Sequence, residues 1–292
     1  MKLPVLVSFA ATEEFCLRVS EMAGVWSLML DSGAFTNWST GKEVVKLADY
    51  RAFLLSHGHL FARYLNLDVI GDPVASRRNF DALREAGLSP VPVFQRGGSA
   101  QELRRMVQDA GFVCIGGVSP RPTARAEQDY MRQTLAIVRE EGGKAHLLGV
   151  TGMPVLRALR PASCDSSTWI NPRRFGRLDL WEGYGFSPLL SPKRGGNPPT
   201  LAQGRALRSF GVTWADLRDP ASWTTTKRPD GTMAHGAALS VSTRSWMRYS
   251  SALARQGITL YLATHRMFYT QETLLEAWEK ERHRWTKQPS RT

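Results

Sequence analysis

Short apolar runs alternate with amphipathic segments through the first 170 residues. The apolar runs are 3–9, 26–30, 64–69, 91–94, 112–115 and 146–150. Helix-like segments lie between them at 80–86, 101–110 and 126–141, and each run is followed by a turn rich in Gly, Asp or Ser. In 101–110 the apolar residues Leu103, Met106, Val107 and Ala110 fall at helical spacing. The pattern predicts strands and helices in strict alternation.

Strands that alternate with helices of this length are typical of βα units and a parallel sheet. Six runs precede residue 150, another apolar run follows at 258–263, and a helix is expected over about 271–285. The count favours an α/β protein with a (β/α)8 TIM-type barrel over a doubly wound sheet. We expect a single barrel domain over residues 1–292.

Residues 171–250 break this rhythm. They contain Pro-, Gly- and Lys/Arg-rich stretches at 191–199 and 223–231, and aromatic residues at Trp181, Tyr184 and Phe186. This composition predicts a basic, loop-rich insertion within the barrel domain.

The charge of the chain is concentrated in the same half. The chain carries 38 Lys plus Arg against 26 Asp plus Glu, a formal net charge of +12. Residues 1–170 have 19 basic and 17 acidic side chains, whereas residues 171–292 have 19 basic and 9 acidic. Such a surplus favours nucleic acid or an anionic membrane as partner, and solvated surface arginines are the simpler alternative.

Several protein classes are excluded by the sequence. The longest apolar stretch, 3–11, is too short to span a bilayer and lacks the features of a signal peptide, so no membrane is expected. Cys16, Cys114 and Cys164 are odd in number and far apart, which fits a reducing cytoplasm rather than a disulfide framework or zinc set. The histidines show no metal-ligand pattern at His57, His59, His235 or His265.

Polar residues recur directly after the apolar runs. In a barrel these positions converge on the catalytic face, at the carboxyl ends of the strands. An aspartate there can attack an anomeric carbon while a second moves the leaving group's proton, and an Asp, a Gln and a glycine N–H can read a purine edge. Taken singly, each of these residues also fits a turn, a helix cap or close packing. The candidate residues are Asp31, Ser32, Asp68, Gln95, Gly116, Gly117, Gly149 and Asp165.

Six motifs in this order resemble the queuine and archaeosine tRNA-guanine transglycosylase superfamily. Residues 30–35 resemble its Asp-Ser-Gly-Gly-Phe motif, and Leu67-Asp68 lies at the place of its guanine-reading aspartate. Residues 92–98 resemble its Val-Gln-Gly stretch, residues 115–118 match its glycine turn, and residues 146–150 resemble its His-Tyr-Leu-Met-Gly-Val-Gly strand. Cys164-Asp165-Ser166 falls where the family has its nucleophile. The resemblance covers 30–169, about half of the chain.

Some features depart from the tRNA enzymes. The Cys-x-Cys-x2-Cys…His zinc site that follows their nucleophile has no counterpart here, so no metal is expected. Ala34 replaces the second glycine, and Thr36 the usual glutamine. Residues 163–169 are more similar to the short, zinc-free relatives encoded by phages, which resemble the DNA 7-deazaguanine transglycosylases. The resemblance therefore favours DNA as the polymer, with cytoplasmic localisation, in the host if the chain is phage-encoded.

The resemblance implies a pentosyltransferase that replaces guanine in DNA with a 7-deazaguanine such as preQ0, without a cofactor. It assigns Asp165 as nucleophile, Asp31 as acid/base, and Asp68, Gln95 and the Gly117 N–H as readers of the purine. The remaining base-binding candidates are Ser32, Phe35, Gly116 and Gly149.

The basic half supplies the expected polymer contacts. Trp181, Tyr184 or Trp223 are candidates to stack on displaced bases. The phosphate-contacting candidates are Arg173, Arg174, Arg177, Lys193, Arg194, Lys227 and Arg228.

Three other functions stay open at this stage. They are a zinc-free tRNA-guanine transglycosylase, a barrel glycoside hydrolase that uses Asp31 and Asp165, and a catalytically inactive barrel that binds nucleic acid. The oligomeric state is not indicated by the sequence.

Overall fold

The structure is a computed structural model that describes residues 2–11, 23–24, 26–117, 125–227, 233–264 and 271–285. These residues form two compact units. The barrel unit contains residues 2–166 and 257–264 of the described chain, and the second unit contains 167–256 and 271–285. That residues 1–292 act as a single barrel domain stays a prediction.

Strands and helices alternate in the barrel unit, as the apolar pattern predicts. The strands of both units are β1 (Leu3–Ser8), β2 (Trp26–Asp31), β3 (Arg63–Tyr64), β4 (Val93–Phe94), β5 (Phe112–Ile115), β6 (Lys144–Leu147), β7 (Ser163–Ser166), β8 (Arg177–Trp181), β9 (Phe186–Leu190), β10 (Thr225–Lys227), β11 (Met233–His235) and β12 (Thr259–Thr264). The helices are α1 (Ala34–Thr40), α2 (Leu47–His57), α3 (Pro73–Glu85), α4 (Ala100–Ala110), α5 (Arg125–Glu140), α6 (Met153–Leu159), α7 (Asn171–Phe175), α8 (Leu201–Arg208), α9 (Trp214–Arg218), α10 (Ala237–Ala254) and α11 (Gln271–Glu281).

The barrel unit is an α/β structure around one eight-stranded parallel sheet. The strand order is β3-β2-β1-β12-β7-β6-β5-β4. The two edge strands are joined where Leu65 pairs in parallel with Val91. There the Val91 amide donates to the Tyr64 carbonyl and the Asn66 amide donates to the Val91 carbonyl, both at 2.8 Å. The sheet therefore curls onto itself as a TIM-type (β/α)8 barrel, which confirms the predicted fold class.

Side chains alternate between the barrel interior and the outer helices. Phe112 and Cys114 on β5 pack inside with Met29, Val93 and the other interior residues. Val113 and Ile115, on the opposite face of β5, are also fully buried. Because both faces of these strands are covered, their sequences are nearly continuous apolar runs, as in other parallel sheets.

Sequence signals explain how several helices begin and end. The Ser99 hydroxyl accepts a hydrogen bond from the Glu102 amide at 3.1 Å and caps the start of α4, whose end is followed by Gly111 at φ 65°. Asp72 caps α3 in the same way, with Pro73 in its first turn. Helix α3 therefore begins seven residues before the predicted segment 80–86.

Two barrel elements differ from the prediction. β7 is a four-residue strand with the sequence Ser-Cys-Asp-Ser, whose polar composition does not form an apolar run, and it carries Asp165 within the strand rather than in a turn. The third strand is only Arg63–Tyr64, because the chain from Leu65 onward keeps just the single bridge to Val91.

The second unit has more regular structure than a loop-rich insertion implies. It holds the antiparallel hairpin β8–β9 and the 18-residue helix α10. Leu178 and Leu180 of β8 pack with Leu207, Trp223 and Val241 in a core of its own. Residues 171–250 therefore hold a helix and a hairpin as well as loops, because Ser, Thr and Arg positions within α10 interrupt the apolar stripe of this helix in the sequence.

None of the helices within the described residues is long and apolar enough to cross a membrane.

Candidate active site

Three aspartates converge at the carboxyl ends of the barrel strands. Asp31 is the last residue of β2, Asp165 is the third residue of β7, and Asp68 follows β3. The charge of Asp165 acts on Asp31, the charge of Asp31 acts on Asp68, and all three act on the buried thiol of Cys114 in the barrel interior. The structure thus brings together three carboxylates that lie far apart in the sequence.

Strand alternation directs the side chains of Asp31 and Gln95 inward. Asp31 lies two residues after Met29, and Gln95 lies two residues after Val93; both apolar residues face the barrel interior. Residues two apart on a strand share a face, so Asp31 and Gln95 continue the inward rows beyond the apolar core.

Asp165 is held by two donors. Its Oδ1 atom accepts a hydrogen bond from the Gly149 amide at 2.8 Å and lies 3.2 Å from Nε2 of His146. The side chain of Asp165 is 13% exposed, whereas that of His146 is fully buried. Both contacts are made to one oxygen, Oδ1, so the carboxylate is fixed in orientation.

His146 is a functional candidate that sequence reasoning missed. Its Nδ1 lies 2.8 Å from the hydroxyl of Ser163, one strand away, and the Tyr261 ring packs against its edge at 5.9 Å. An ionised Asp165 can only accept, so we assign the proton to Nε2 and a Ser163 hydroxyl donor to Nδ1. The signal that could have found it is the alternation of side chains along a strand. His146 lies two residues before Leu148, which packs against the barrel interior, so His146 is also expected to point inward.

Asp68 and Gln95 form a polar pair beside a glycine turn. Nε2 of Gln95 donates to Oδ2 of Asp68 at 2.5 Å. A Cβ at Gly116 would lie 2.9 Å from Oε1 of Gln95, so a larger residue there would displace the Gln95 side chain. Arg63 begins β3 and lies at the opposite end of the strands, so it is not a partner of Asp68.

The glycine turn after β5 offers one amide. The Gly116 amide donates to the Phe94 carbonyl at 2.9 Å as part of the sheet. The next residue, Gly117, has φ 71°, and a Cβ there would approach Cβ of Arg96 to 2.9 Å. Of the amides of these two glycines, that of Gly117 is therefore the candidate to serve a ligand.

Burial raises the pKa of two of the three aspartates. The pKa of Asp31 is raised to about 6, chiefly by burial and also by the charge of Asp165, against the hydrogen bond from Gly33. The pKa of Asp68 is likewise raised to about 6 by burial, against the hydrogen bond from Gln95. Carboxyl groups with such pKa values exchange protons readily near neutral pH, as general acid/base groups do.

The other predicted pocket residues lie around the same strand ends. Ser32 is buried, and within the described part of the chain its hydroxyl has no hydrogen-bond partner. Phe35, in the first turn of α1, is 64% exposed and packs against the exposed Trp38 at 5.6 Å. Gly149 is placed as a partner of Asp165, although the resemblance assigns it to base binding. The roles of all these residues in catalysis or base binding stay predictions.

The basic residues expected to contact a polymer belong to the second unit. Arg173 and Arg174 on α7, and Lys193 and Arg194 on a 3-10 turn, are exposed. Arg177 instead pairs with the buried Asp179 at 2.6 Å. Lys227 ends β10, and Arg228 lies outside the described residues.

Of the three aromatic residues expected to stack on bases, one is accessible. Tyr184 is 75% exposed, whereas Trp181 and Trp223 are 7% and 8% exposed. The two tryptophans are part of the packing of the second unit, where Trp181 contacts Tyr249 and Trp223 contacts the Leu178–Leu180 core. Their assignment as stacking residues is wrong, because their rings are covered.

A cavity of about 470 Å³ lies at the opposite end of the same barrel strands. Arg63, Phe112, Lys144 and Thr259, which begin β3, β5, β6 and β12, line it. It is therefore separate from the aspartate cluster. Within the residues the structure describes, no group of three or more His, Cys, Asp or Glu side chains is arranged to hold a metal ion.

Comparisons with known proteins do not assign this chain to a family. No family model matches the sequence, and no curated protein matches it. A chain of the tryptophan synthase a2b2 complex from Pyrococcus furiosus is similar with a TM-score of 0.34 and 17% identity, over 50% of this chain and 57% of that one. A xylose isomerase-like TIM barrel/4-hydroxyphenylpyruvate dioxygenase fusion protein is similar with a TM-score of 0.25 and 9% identity, over 94% of this chain and 45% of that one. The matches thus span about half the length of those structures.

Proposed function

We propose that this chain is an enzyme that exchanges guanine in DNA for a 7-deazaguanine base through a covalent glycosyl-aspartate. The observation that carries the proposal is the meeting of Asp31, Asp68, Gln95 and Asp165 at the carboxyl ends of the barrel strands. One carboxylate oriented by two donors suits a nucleophile, and two carboxyl groups with pKa values of about 6 suit proton transfer and base recognition.

In the first half of the exchange, Oδ2 of Asp165 attacks C1′ of a guanosine whose base has been displaced from the DNA stack. The C1′–N9 bond breaks, its electron pair stays on N9, and the departing base takes a proton from Asp31. Hydrogen bonds from Gln95 and the Gly117 amide to the purine oxygen stabilise the charge that develops on the base. The products are guanine, ionised Asp31 and a glycosyl ester on Asp165.

In the second half, a 7-deazaguanine such as preQ0 enters the vacated pocket. Its N9–H gives its proton to Asp31 while N9 attacks C1′, and the ester bond to Asp165 breaks to restore the carboxylate. Asp68 accepts hydrogen bonds from the N1–H and amino group that guanine and 7-deazaguanines share. The glycosidic bond is exchanged rather than lost, so the reaction needs no energy-rich cofactor.

Charge coupling between Asp31 and Asp165 supports this division of roles. Ionised Asp165 helps to keep the pKa of Asp31 high, which favours a protonated Asp31 before the first half-reaction. Ester formation neutralises Asp165 and removes this contribution, so the pKa of Asp31 falls and the ionised form that accepts the proton in the second half-reaction is favoured.

The direct test is base exchange with isotope-labelled guanine or preQ0, offered separately with DNA and with tRNA. We expect label to enter DNA and a covalent protein–DNA adduct to persist on denaturing gels when no incoming base is present. Asp165→Asn is expected to lose both signals, whereas Asp49→Asn on the exposed start of α2 keeps them. Label in tRNA alone would identify the tRNA transglycosylase instead, and exchange by Asp165→Asn would overturn the assignment of the nucleophile.

A further inference from the structure

A basic cavity of about 460 Å³ lies within the second unit. Four arginines line it: Arg205 on α8, Arg248 on α10, Arg255 directly after α10, and Arg284 after α11. The turn of the β8–β9 hairpin, with Glu182 and Tyr184, forms another part of its wall. Four guanidinium groups against the single lining carboxylate of Glu182 give these walls a net charge of +3.

Glu281, which pairs with two of the lining arginines, neutralises only part of this charge. Glu281 is 1% exposed and binds Arg244, Arg248 and Arg284 at 2.8, 3.0 and 2.6 Å. One carboxylate therefore serves three guanidinium groups. Burial lowers the pKa of Arg248, and the charges of Arg284 and Arg244 lower it further. These arginines repel each other, and an anion in the cavity would relieve that repulsion.

Two of the arginines are fixed in place before any ligand binds. Arg248 also donates to the hydroxyl and carbonyl of Ser209, at 2.7 and 3.0 Å, and its guanidinium lies 3.7 Å from the centre of the Phe210 ring. Arg284 is anchored by Glu281. Preorganised guanidinium groups lose little conformational entropy on binding and match the paired oxygens of a phosphate.

The ring beside these charges is accessible. Tyr184 is 75% exposed, and its hydroxyl donates to Oε2 of Glu182 at 2.9 Å. The other oxygen of Glu182 accepts from the Ser187 hydroxyl at 2.7 Å. Glu182 thus accepts hydrogen bonds from both hydroxyl groups. The Ser187 hydroxyl fixes the carboxylate, and the carboxylate in turn orients the Tyr184 side chain. A flat exposed ring next to guanidinium groups is the combination that binds the bases and phosphates of an unpaired strand.

We infer that this cavity binds consecutive phosphodiester groups of an unpaired DNA strand through Arg205, Arg248, Arg255 and Arg284, with a base stacked on Tyr184. The inference rests on the proposed function only for the choice of DNA. None of these arginines is among the seven basic residues that the sequence singles out.

The test is fluorescence anisotropy of a dye-labelled single-stranded DNA of about 20 nucleotides with the full chain, at several salt concentrations. Arg205→Ala with Arg255→Ala removes two charges outside the Glu281 network. We expect this pair to weaken binding about tenfold or more at 0.1 M salt, and to reduce the slope of log K against log salt by about 1.4. The matched control is Arg78→Ala with Arg105→Ala, which removes two exposed arginines from the barrel helices α3 and α4 and should leave binding within about twofold.

Tyr184 supplies a second, uncharged readout. Tyr184→Ala is expected to weaken binding by about 5-fold to 100-fold, whereas Tyr184→Phe keeps the ring and most of the affinity. Pyrophosphate at millimolar concentration serves as a competitor without bases. A cavity that takes only free phosphate would show strand binding that is indifferent to both Tyr184→Ala and the arginine pair, and that result would overturn the inference.

Failure of this inference is distinguishable from failure of the proposed function. Asp165→Asn lies in the barrel unit and should bind the strand as tightly as the unaltered chain. If the double variant of Arg205 and Arg255 loses strand binding but the unaltered chain shows no base exchange, strand binding by the cavity is supported and the proposed function is contradicted. If the double variant of Arg205 and Arg255 exchanges bases as well as the unaltered chain at high salt, and its affinity for the strand is unchanged, the cavity does not bind the strand and the proposed function stands.

Discussion

The two units gather charges of opposite sign, and among the described residues each leaves part of its charge without a counterion. In the barrel unit, Asp31, Asp68 and Asp165 meet near one buried histidine, and the pKa values of Asp31 and Asp68 are raised to about 6. In the second unit, three arginines share the buried Glu281. Protein interiors normally pair buried charges, so an unbalanced cluster costs stability and marks a place where a ligand completes the balance.

The clusters differ in what they can do. Carboxyl groups near pH 6 can gain and lose protons under physiological conditions, so the barrel cluster suits chemistry. Guanidinium groups stay charged at every physiological pH, so the arginine cluster suits a permanent electrostatic contact. The barrel cluster is thus suited to react with a ligand and the arginine cluster to hold one, and each can be tested by substitution.

The largest expected effect on stability is at Glu281. Glu281→Gln leaves three guanidinium groups around a neutral amide, and we expect the free energy of unfolding to fall by about 3–5 kcal/mol. Urea titration followed by circular dichroism measures this change. The control is Glu276→Gln, whose exposed pair with Lys280 should matter by less than about 0.5 kcal/mol. Equal effects of the two substitutions would mean that the ion pairs of Glu281 contribute no more to stability than an exposed pair does.

The pH dependence of adduct formation tests the barrel cluster. In the proposed exchange the first half-reaction needs a protonated Asp31 and an ionised Asp68, and both pKa values lie at about 6. We expect the single-turnover rate of adduct formation to peak near pH 6 and to fall about tenfold per pH unit well away from the peak on each side. Rapid-quench measurements from pH 4.5 to 8.5 follow it, and a rate independent of pH would contradict the acid/base role of Asp31.

Stability should respond to Asp31 in the opposite sense to Glu281. The pKa of Asp31 is higher in the folded than in the unfolded chain, so its stabilising contribution is complete below about pH 4 and is lost as the pH rises through 6. The asparagine of Asp31→Asn does not titrate. We therefore expect the free energy of unfolding of this variant to exceed that of the unaltered chain by about 2–3 kcal/mol at pH 7.5 and to equal it near pH 4. Urea titrations at the two pH values check this, and an Asp31→Asn chain less stable at pH 7.5 would refute it.

The smallest expected effect on stability is at two glycines, and comparing them separates the cost of backbone strain from the role of one amide in holding Asp165. Gly149 and Gly142 have φ values of 70° and 72°, and a Cβ at either would meet open space. Substitution by alanine should cost about 1 kcal/mol of stability at each site through the backbone alone. Only Gly149→Ala should also lower the rate of adduct formation, because the Gly149 amide holds Asp165. An equal loss of rate in Gly142→Ala would show that the amide has no special role.

Most of the barrel could be predicted from the sequence because its strands are buried on both faces and appear as apolar runs. β7 was missed because Ser163 and Asp165 interrupt the run with polar residues. The same inward alternation would have revealed His146, which shares its face with Leu148. The strand with the weakest apolar signal is thus the one that carries the nucleophile candidate.

The arginine cluster could not be predicted in the same way. Arg205, Arg248, Arg255 and Arg284 are spread over 80 positions, and only the packing of α8, α10 and α11 brings them to one cavity. The sequence instead favours local clusters such as Arg173 with Arg174. It also cannot distinguish Arg177, which Asp179 neutralises, from an arginine that is free to bind a ligand.

The placement of the second unit between β7 and β12 has a consequence for how the chain folds. β12 pairs with β7 on one side and with β1 on the other, and the partners Val5 and Leu262 are 257 positions apart. During synthesis, roughly 5–20 s pass between the emergence of β7 and that of β12. In that interval the edges of β1 and β7 lack their shared neighbour, so the nascent barrel is exposed to aggregation until its last strand arrives.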